Sequence, residues 1–258
     1  SNLKLVSREQ ALNNKLLLNS LPQSVIERMA AAATVQEVVT STNETGSGEK
    51  KTSDGSDWQH QHHNNNNNHE LISDEINNGT VLFVDAHLDG FESTTEQQEY
   101  LKAIHALNTL FTTFDELCER FNVTKVKSTQ NVYMVACGIA GDCGNSAAIV
   151  TLALEMHKVF NSLYNQNSSN SSLAIGIAYG SFRAGVLGTS KFLYDIFGDT
   201  VNVSSRMMST CESGKVQICG QELLEKLQKS NYNKFVIEKR GSIFVKGKGD
   251  MDTYYVHE

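Results

Sequence analysis

The stretch Thr124-Lys125-Val126-Lys127-Ser128-Thr129-Gln130-Asn131-Val132-Tyr133-Met134-Val135-Ala136-Cys137 decides the fold. Two short runs of strand-like composition flank the two-residue joint Gln130-Asn131, the length of a tight β-hairpin. Such a joint calls for positive φ, which asparagine tolerates at the second turn position and Gln130 adopts less readily. Upstream, Leu101, Ile104, Leu107, Phe111, Phe114, Cys118 and Phe121 recur every three or four residues, a long helix with one core face. Before that helix, Thr80-Val81-Leu82-Phe83-Val84-Asp85 is an apolar run ending in a carboxylate, a buried strand with chemistry available at its end. Downstream of the hairpin, a second helix runs from Ser146 to about Tyr164. Leu173 to Ala178 and Ala184 to Gly188 then read as a strand and a return strand. The order predicts an α+β domain: a ferredoxin-like βαββαβ sheet with helices on one face and additional C-terminal α and β elements.

The 258 residues, 40% apolar and 20% charged, allow one large domain or two small ones. Residues 1–33 read as a lead-in helix broken at the single proline, Pro22, in Leu21-Pro22. Residues 34–79 are a polar Asn/Ser/His-rich tract read as a disordered linker, and 80–258 form the packed domain. His60, His62, His63 and His69 lie in that tract; the flanking asparagine run gives them no rigid metal-binding geometry. A net charge of −7 excludes a global positive field for nucleic acid, so an anionic partner needs a local basic pocket. The five cysteines are odd in number and lack CxxC spacing, which fits a reducing compartment. The most apolar stretch, Ala147 to Met156, is broken by Thr151 and Glu155, so no membrane span is expected. The start Ser-Asn-Leu-Lys lacks a charged-then-apolar leader and suggests a piece of something longer.

Two segments carry chemistry. In Phe192-Leu193-Tyr194-Asp195-Ile196-Phe197-Gly198-Asp199-Thr200-Val201-Asn202-Val203-Ser204-Ser205-Arg206-Met207, Asn202 and Arg206 stand four apart and share a helix face. Arg240-Gly241-Ser242-Ile243-Phe244-Val245-Lys246-Gly247-Lys248-Gly249 is basic, with glycines that let backbone approach an anion. Each residue also has a bland reading. Lys127 alone is a solvated lysine, Asp195 a helix cap, Asn202 with Arg206 an exposed face, and Lys246 with Lys248 a solvated turn. His105 and His157 fall within helical patterns, and Cys137 at a strand end reads as core.

Residues from about 80 to 256 resemble the catalytic domain of the class III adenylyl/guanylyl cyclases. The resemblance rests on Tyr194-Asp195-Ile196-Phe197-Gly198 with Val201-Asn202 and Arg206, on Phe114-Asp115-Glu116-Leu117 before the Lys-Val-Lys hairpin, and on Lys246-Gly247-Lys248-Gly249, all in family order. Leu16 to Val25 also resembles the helix that leads into such domains. The resemblance implies a dimer of catalytic domains with nucleoside triphosphate in the cleft between them. One domain supplies two aspartates holding two Mg2+ or Mn2+ ions; the facing domain supplies base, ribose and phosphate contacts. Carried over, Lys127 and Asp195 match the base-reading pair and favour adenine. Asn202 and Arg206 match the ribose and transition-state pair, and Lys246 or Lys248 the phosphate lysine.

The metal half departs from the pattern. The hairpin's usual Gly-Asp reads Gln130-Asn131, so Asn131 replaces the second metal aspartate. The usual Asp-Ile-x-Gly-Phe reads Asp85-Ala86-His87-Leu88-Asp89-Gly90-Phe91, leaving Asp85 or Asp89 for the first metal role. The expectation is a substrate-reading half that makes cyclic AMP and pyrophosphate from ATP, weak or inactive until a second, metal-bearing cyclase domain ligates the ions. The alternatives are a guanylyl cyclase and a degenerate regulatory domain. The net charge gives the expectation of no nucleic acid partner; the resemblance allows an upstream regulator and implies a place on the cytoplasmic side, either free or as the cytosolic domain of a membrane protein.

Overall fold

Alternation along β1 (Ser73–His87) sets the plan of the molecule: Leu82, Val84 and Ala86 enter one apolar layer, whereas Val81, Phe83 and Asp85 face the other side of the sheet. The computed structural model describes residues 21–22, 25–28, 73–89, 97–139, 142, 144–164, 171–188, 193–230 and 235–258. After β1 come α1 (Gln97–Phe121), β2 (Thr124–Thr129), β3 (Val132–Cys137), α2 (Ser146–Tyr164), β4 (Ser172–Leu187) and β5 (Leu193–Phe197). Then follow α3 (Asp199–Ser209), β6 (Val216–Cys219), α4 (Gln221–Lys229), β7 (Val236–Val245) and β8 (Gly249–His257). The strands hydrogen-bond in the order β2-β3-β1-β4-β6-β8-β7, with β5 paired to β4. The α+β, ferredoxin-like sheet expected from the sequence is therefore present.

The chain divides into two compact units, residues 73–185 with 194–258 and residues 1–72 with 186–193. Within the second, the amides of Val25 and Ile26 donate to the Pro22 carbonyl and start a helical turn over 25–28. The rest of the lead-in helix, the histidine cluster and nearly all of the polar tract lie outside the described residues.

Helices α1, α2 and α4 bury Leu110, Phe114, Ile149, Leu152, Leu223 and Leu227 against the layer formed by Leu82, Val84, Val135, Ile175 and Ile218. Helix α3 takes the opposite face. Its Val203 and Met207 pack with Ala178 and Cys219, the alternate positions of β4 and β6. Ser204 buries its hydroxyl there, donating to the carbonyls of Val81 at 2.8 Å and Gly176 at 3.1 Å. A side chain at 176 is impossible without a shift, since an added Cβ would stand 2.0 Å from the Met208 nitrogen.

Three expectations change. Leu101 and Ile104 are exposed; the buried face of α1 starts at Ala103 and continues through Leu107, Leu110, Phe114, Leu117 and Cys118. Residues 173–178 and 184–187 belong to one strand, β4, not two. Its outer half pairs with Ser73 to Ile76, so the sheet begins within the tract read as linker, across an irregularity between Ile76 and Gly79. The polar residues of that ribbon, Ser73, Asp74, Glu75, Asn77 and Asn78, hid it from a hydrophobicity reading.

Candidate active site

Register places Asp85 and Lys127 on the α3 face of the sheet. Asp85 pairs with Val132 on β3 and Ala174 on β4, at the end of β1 that meets the β2–β3 turn. The turn is held there by the Ala86 amide donating to the Asn131 carbonyl at 2.9 Å. Across it, the side-chain amide of Asn131 donates to Asp85 Oδ1 at 2.5 Å. Gln130, not Asn131, carries the positive φ of the turn, at 53°.

This arrangement does not fit a two-ion site on this chain. Among the described residues this corner holds one carboxylate, one of its oxygens already accepts an N–H, and the amide turns a donor where a cation needs an oxygen. Asp89 stands past the strand end, exposed, its amide bonded to Ser171 Oγ at 3.0 Å at the start of β4. Asp85 is thus the aspartate beside Asn131. No cluster of three or more His, Cys, Asp or Glu side chains suited to a metal occurs among the described residues.

Lys127 and Asp195 meet although they are 68 positions apart in sequence, Nζ to Oδ2 at 2.6 Å. Asp195 is 8% exposed and its other oxygen accepts the Ile196 amide at 2.9 Å, so it is committed to this pair and caps no helix. The cap of α3 is Gly198, without a side-chain hydrogen bond.

Buried Thr200, Val203, Ser204 and Met207 fix the inner side of α3 against the sheet, and Asn202 and Arg206 stand one turn apart on its exposed side. Neither has a salt-bridge or side-chain partner among the described residues, so both are available to a ligand or a second domain. The two late lysines separate. Lys248 forms an ion pair with Asp199 in the first turn of α3, whereas Lys246, in the β7–β8 turn, is exposed and has no such partner among the described residues.

Other groups escaped the sequence reading. Asp115, in the Phe-Asp-Glu-Leu run, takes Lys125 Nζ on both oxygens, at 2.6 and 2.8 Å, and the Tyr133 hydroxyl on one of them. Burial pushes the Tyr133 phenol upward and the neighbouring Cys118 thiol up to about 12, so both stay neutral. Asp142 accepts the amides of Gly138, Ile139 and Gly144 at 2.8 to 3.0 Å and ties down the loop between β3 and α2. Asp115 lies in the quoted Phe-Asp-Glu-Leu run, but its partners, 10 and 18 positions on, give it a role only in three dimensions; Asp142 holds amides within four positions of itself. His157 is half-buried and His105 exposed, neither in a ligand cluster among the described residues, and Cys137 is core.

Compared with known proteins, residues 71–258 match the family described as Adenylate and Guanylate cyclase catalytic domain. An adenylate cyclase of Mycobacterium bovis is 35% identical over 187 residues, covering 72% of this chain and 41% of the relative. A membrane guanylyl cyclase of Dictyostelium discoideum is 34% identical over 190 residues, covering 72% of this chain and 12% of the relative. The chain thus spans less than half the length of these curated relatives. Among solved structures, the guanylate cyclase domain of RhGC from Catenaria anguillulae, in complex with GTP, superposes with a TM-score of 0.61 at 28% identity, over 71% of this chain and 98% of that one. The catalytic core of a rhodopsin-guanylyl cyclase with converted specificity, in complex with ATPαS, gives 0.61 at 28% over 72% and 97%.

Proposed function

The chain belongs to the adenylate and guanylate cyclase catalytic domains, and from that premise we propose that it is the substrate-reading half of an adenylyl cyclase site, completed by a second catalytic domain that carries the metal ions. The observation that carries this is a contrast between two groups of side chains. Lys127 pairs with Asp195, and Asn202 and Arg206 stand exposed on α3, while Asp85 accepts from the Asn131 amide, a neutral donor where a second carboxylate would be needed.

The base edge explains the choice of ATP. Adenine offers an acceptor nitrogen beside an exocyclic amine donor; Lys127 donates to the first and Asp195 accepts from the second. Guanine presents the reverse order and would set its carbonyl against the carboxylate. Before substrate arrives the two side chains satisfy each other, so the base replaces an internal ion pair with two hydrogen bonds of matching polarity. Asn202 orients the ribose so that its 3′-oxygen lies in line with the α-phosphorus, and Arg206 neutralises charge developing on the phosphoryl oxygens. Lys246, which has no ion-pair partner among the described residues, holds the phosphates; Lys248 tethers its turn to α3 through Asp199. The partner's divalent ions would lower the barrier to attack by the 3′-hydroxyl and to departure of pyrophosphate.

Mixing the chain with a metal-competent cyclase domain and Mg2+ or Mn2+ with ATP is expected to give cyclic AMP, and Arg206→Ala to remove it. Failure with every competent partner would sink the proposal. A second reading is a regulatory domain that binds nucleotide without turnover. The Asn131–Asp85 hydrogen bond favours it, because it lets this corner stand without a cation. Calorimetry with ATP analogues separates the two: metal-independent binding that never supports turnover in the mixture selects the regulatory role. Robust turnover by the chain alone contradicts both.

A further inference from the structure

Lys125 and Lys127 are two residues apart on β2, and in a regular strand they would point to the same face. They point to opposite faces. Thr124 pairs with Ala136 and Lys125 with Val135, but Lys127 pairs with Met134, so Val126 is an extra residue, bulged and 7% exposed. Val135 belongs to the helix-side layer, and Lys125 accordingly reaches Asp115 on α1 and lies over the Tyr133 ring at 5.0 Å. Met134 is in register with Phe83, and Phe83 with Gly176, the residue directly beneath α3. Lys127 joins that row and meets Asp195. Without the bulge Lys127 would stand opposite Tyr133 and point into the helix layer.

We propose that the Val126 bulge, locked by the ion pair of Lys125 with Asp115, is the device that turns Lys127 onto the nucleotide face, making Asp115 and Lys125 positioning residues for base recognition. The inference rests on Lys127 reading the base. A bulged strand loses ladder hydrogen bonds at the extra residue and can slip to the regular register, which reverses every later side chain. The lock opposes that slip. Lys125 is held on both oxygens of Asp115, and the Tyr133 hydroxyl fixes the same carboxylate from the neighbouring strand. Sequence distance conceals the link, since Asp115 belongs to a helix and makes no contact with the nucleotide face.

The test is a ratio of kcat/KM for ATP and GTP, measured with the metal-competent partner domain present. Lys125→Met and Asp115→Asn are expected to raise KM for ATP and to lower the ATP-to-GTP ratio by about tenfold, the discrimination held by one charge-assisted hydrogen bond. The kcat at saturating ATP should change little, because Asn202 and Arg206 are on α3. Asp115→Glu, which keeps the carboxylate, should restore most of the ratio. Lys125→Met is the safer variant for folding, since that side chain is 35% exposed. An unchanged ratio in folded Lys125→Met overturns the positioning role. Lys127→Ala serves as the separate control: if it leaves the ratio unchanged, the base-reading premise falls and the proposal with it. If Lys127→Ala collapses the ratio while Lys125→Met does not, only the bulge lock is refuted.

Discussion

Asn131 and Asp85 close the end of the β1–β3 ladder with a side-chain hydrogen bond in which the amide donates to the carboxylate. An aspartate in place of Asn131 would set two carboxylates against each other, tolerable only with a shared cation or a raised pKa. Asn131→Asp is therefore expected to lower the thermal midpoint in EDTA and to recover it as Mn2+ is added. The recovery should grow with metal concentration, because an ion bound only by the folded state stabilises it by mass action. Wild type should show a much smaller Mn2+ response. Equal responses from the two proteins would show that Asn131 does not govern metal binding. A trace of cyclase activity from the variant alone is the stronger version of the same result.

The β2–β3 hairpin, α2 and the run through Asp195 to Arg206 were legible because each is local: a turn of fixed length, a periodic face, a motif in order. The long ribbon of β1 with β4 was not, because its outer residues are polar and are held by backbone pairing that composition does not register. The site was legible as residue types and illegible as geometry. Lys127 and Asp195 could be matched to a role, but nothing local shows that a bulge at Val126 is needed for them to meet. Lys246 and Lys248 look equivalent in sequence, and only the Asp199 contact distinguishes them.

Gln130 occupies a left-handed conformation, φ 53°, at the turn that carries Asn131. For an L-residue with a long side chain that region costs roughly 1–2 kcal/mol, whereas glycine enters it freely, at some cost in unfolded-state entropy. Gln130→Gly is expected to raise stability by up to about 1 kcal/mol, read as a higher urea midpoint at unchanged slope. A lower midpoint would mean that the exposed glutamine makes a compensating contact.

The proposed base-reading role of Lys127 and Asp195 predicts a specificity exchange. Lys127→Glu with Asp195→Cys replaces a donor and acceptor suited to adenine with an acceptor and a weak donor suited to guanine. In the mixed-domain assay the double variant is expected to lose cyclic AMP production and gain cyclic GMP production. Each single variant should be poor with both, because it breaks the ion pair without completing the new pattern. Unchanged preference for ATP in the double variant would move base recognition elsewhere.

Gly176 decides where α3 sits. An added methyl would meet the backbone of Met207 and Met208 at 2.6 and 2.0 Å, and backbone cannot rotate away as a side-chain tip can. Gly176→Ala should cost about 1–3 kcal/mol and displace the helix bearing Asn202 and Arg206. Activity in the mixture is expected to fall by more than the loss of folded protein explains, with kcat affected more than KM. Wild-type kcat in a folded Gly176→Ala protein would show that α3 need not lie so close to the sheet.

His157 supplies a pH dependence that can be followed without turnover. On α2 its Nδ1 accepts the Asn161 side-chain amide at 3.0 Å, and the ring lines a cavity of about 300 Å3 with Leu154, Lys215 and Tyr255. Burial pushes its pKa below the ordinary value of 6.5, and the Lys215 charge acts in the same direction, while a contact with the Gly214 backbone opposes them. As pH falls through 6.5 the unfolded chain takes up a proton that the folded chain still refuses, so the unfolded state is favoured. Stability from this group is complete above 6.5 and declines from there toward the lower folded pKa. His157→Gln, which can still accept from Asn161, is expected to flatten that part of the urea-midpoint curve between pH 7.5 and 5. The same acid-side slope in variant and wild type would assign the dependence to other groups and show that His157 can be protonated in place.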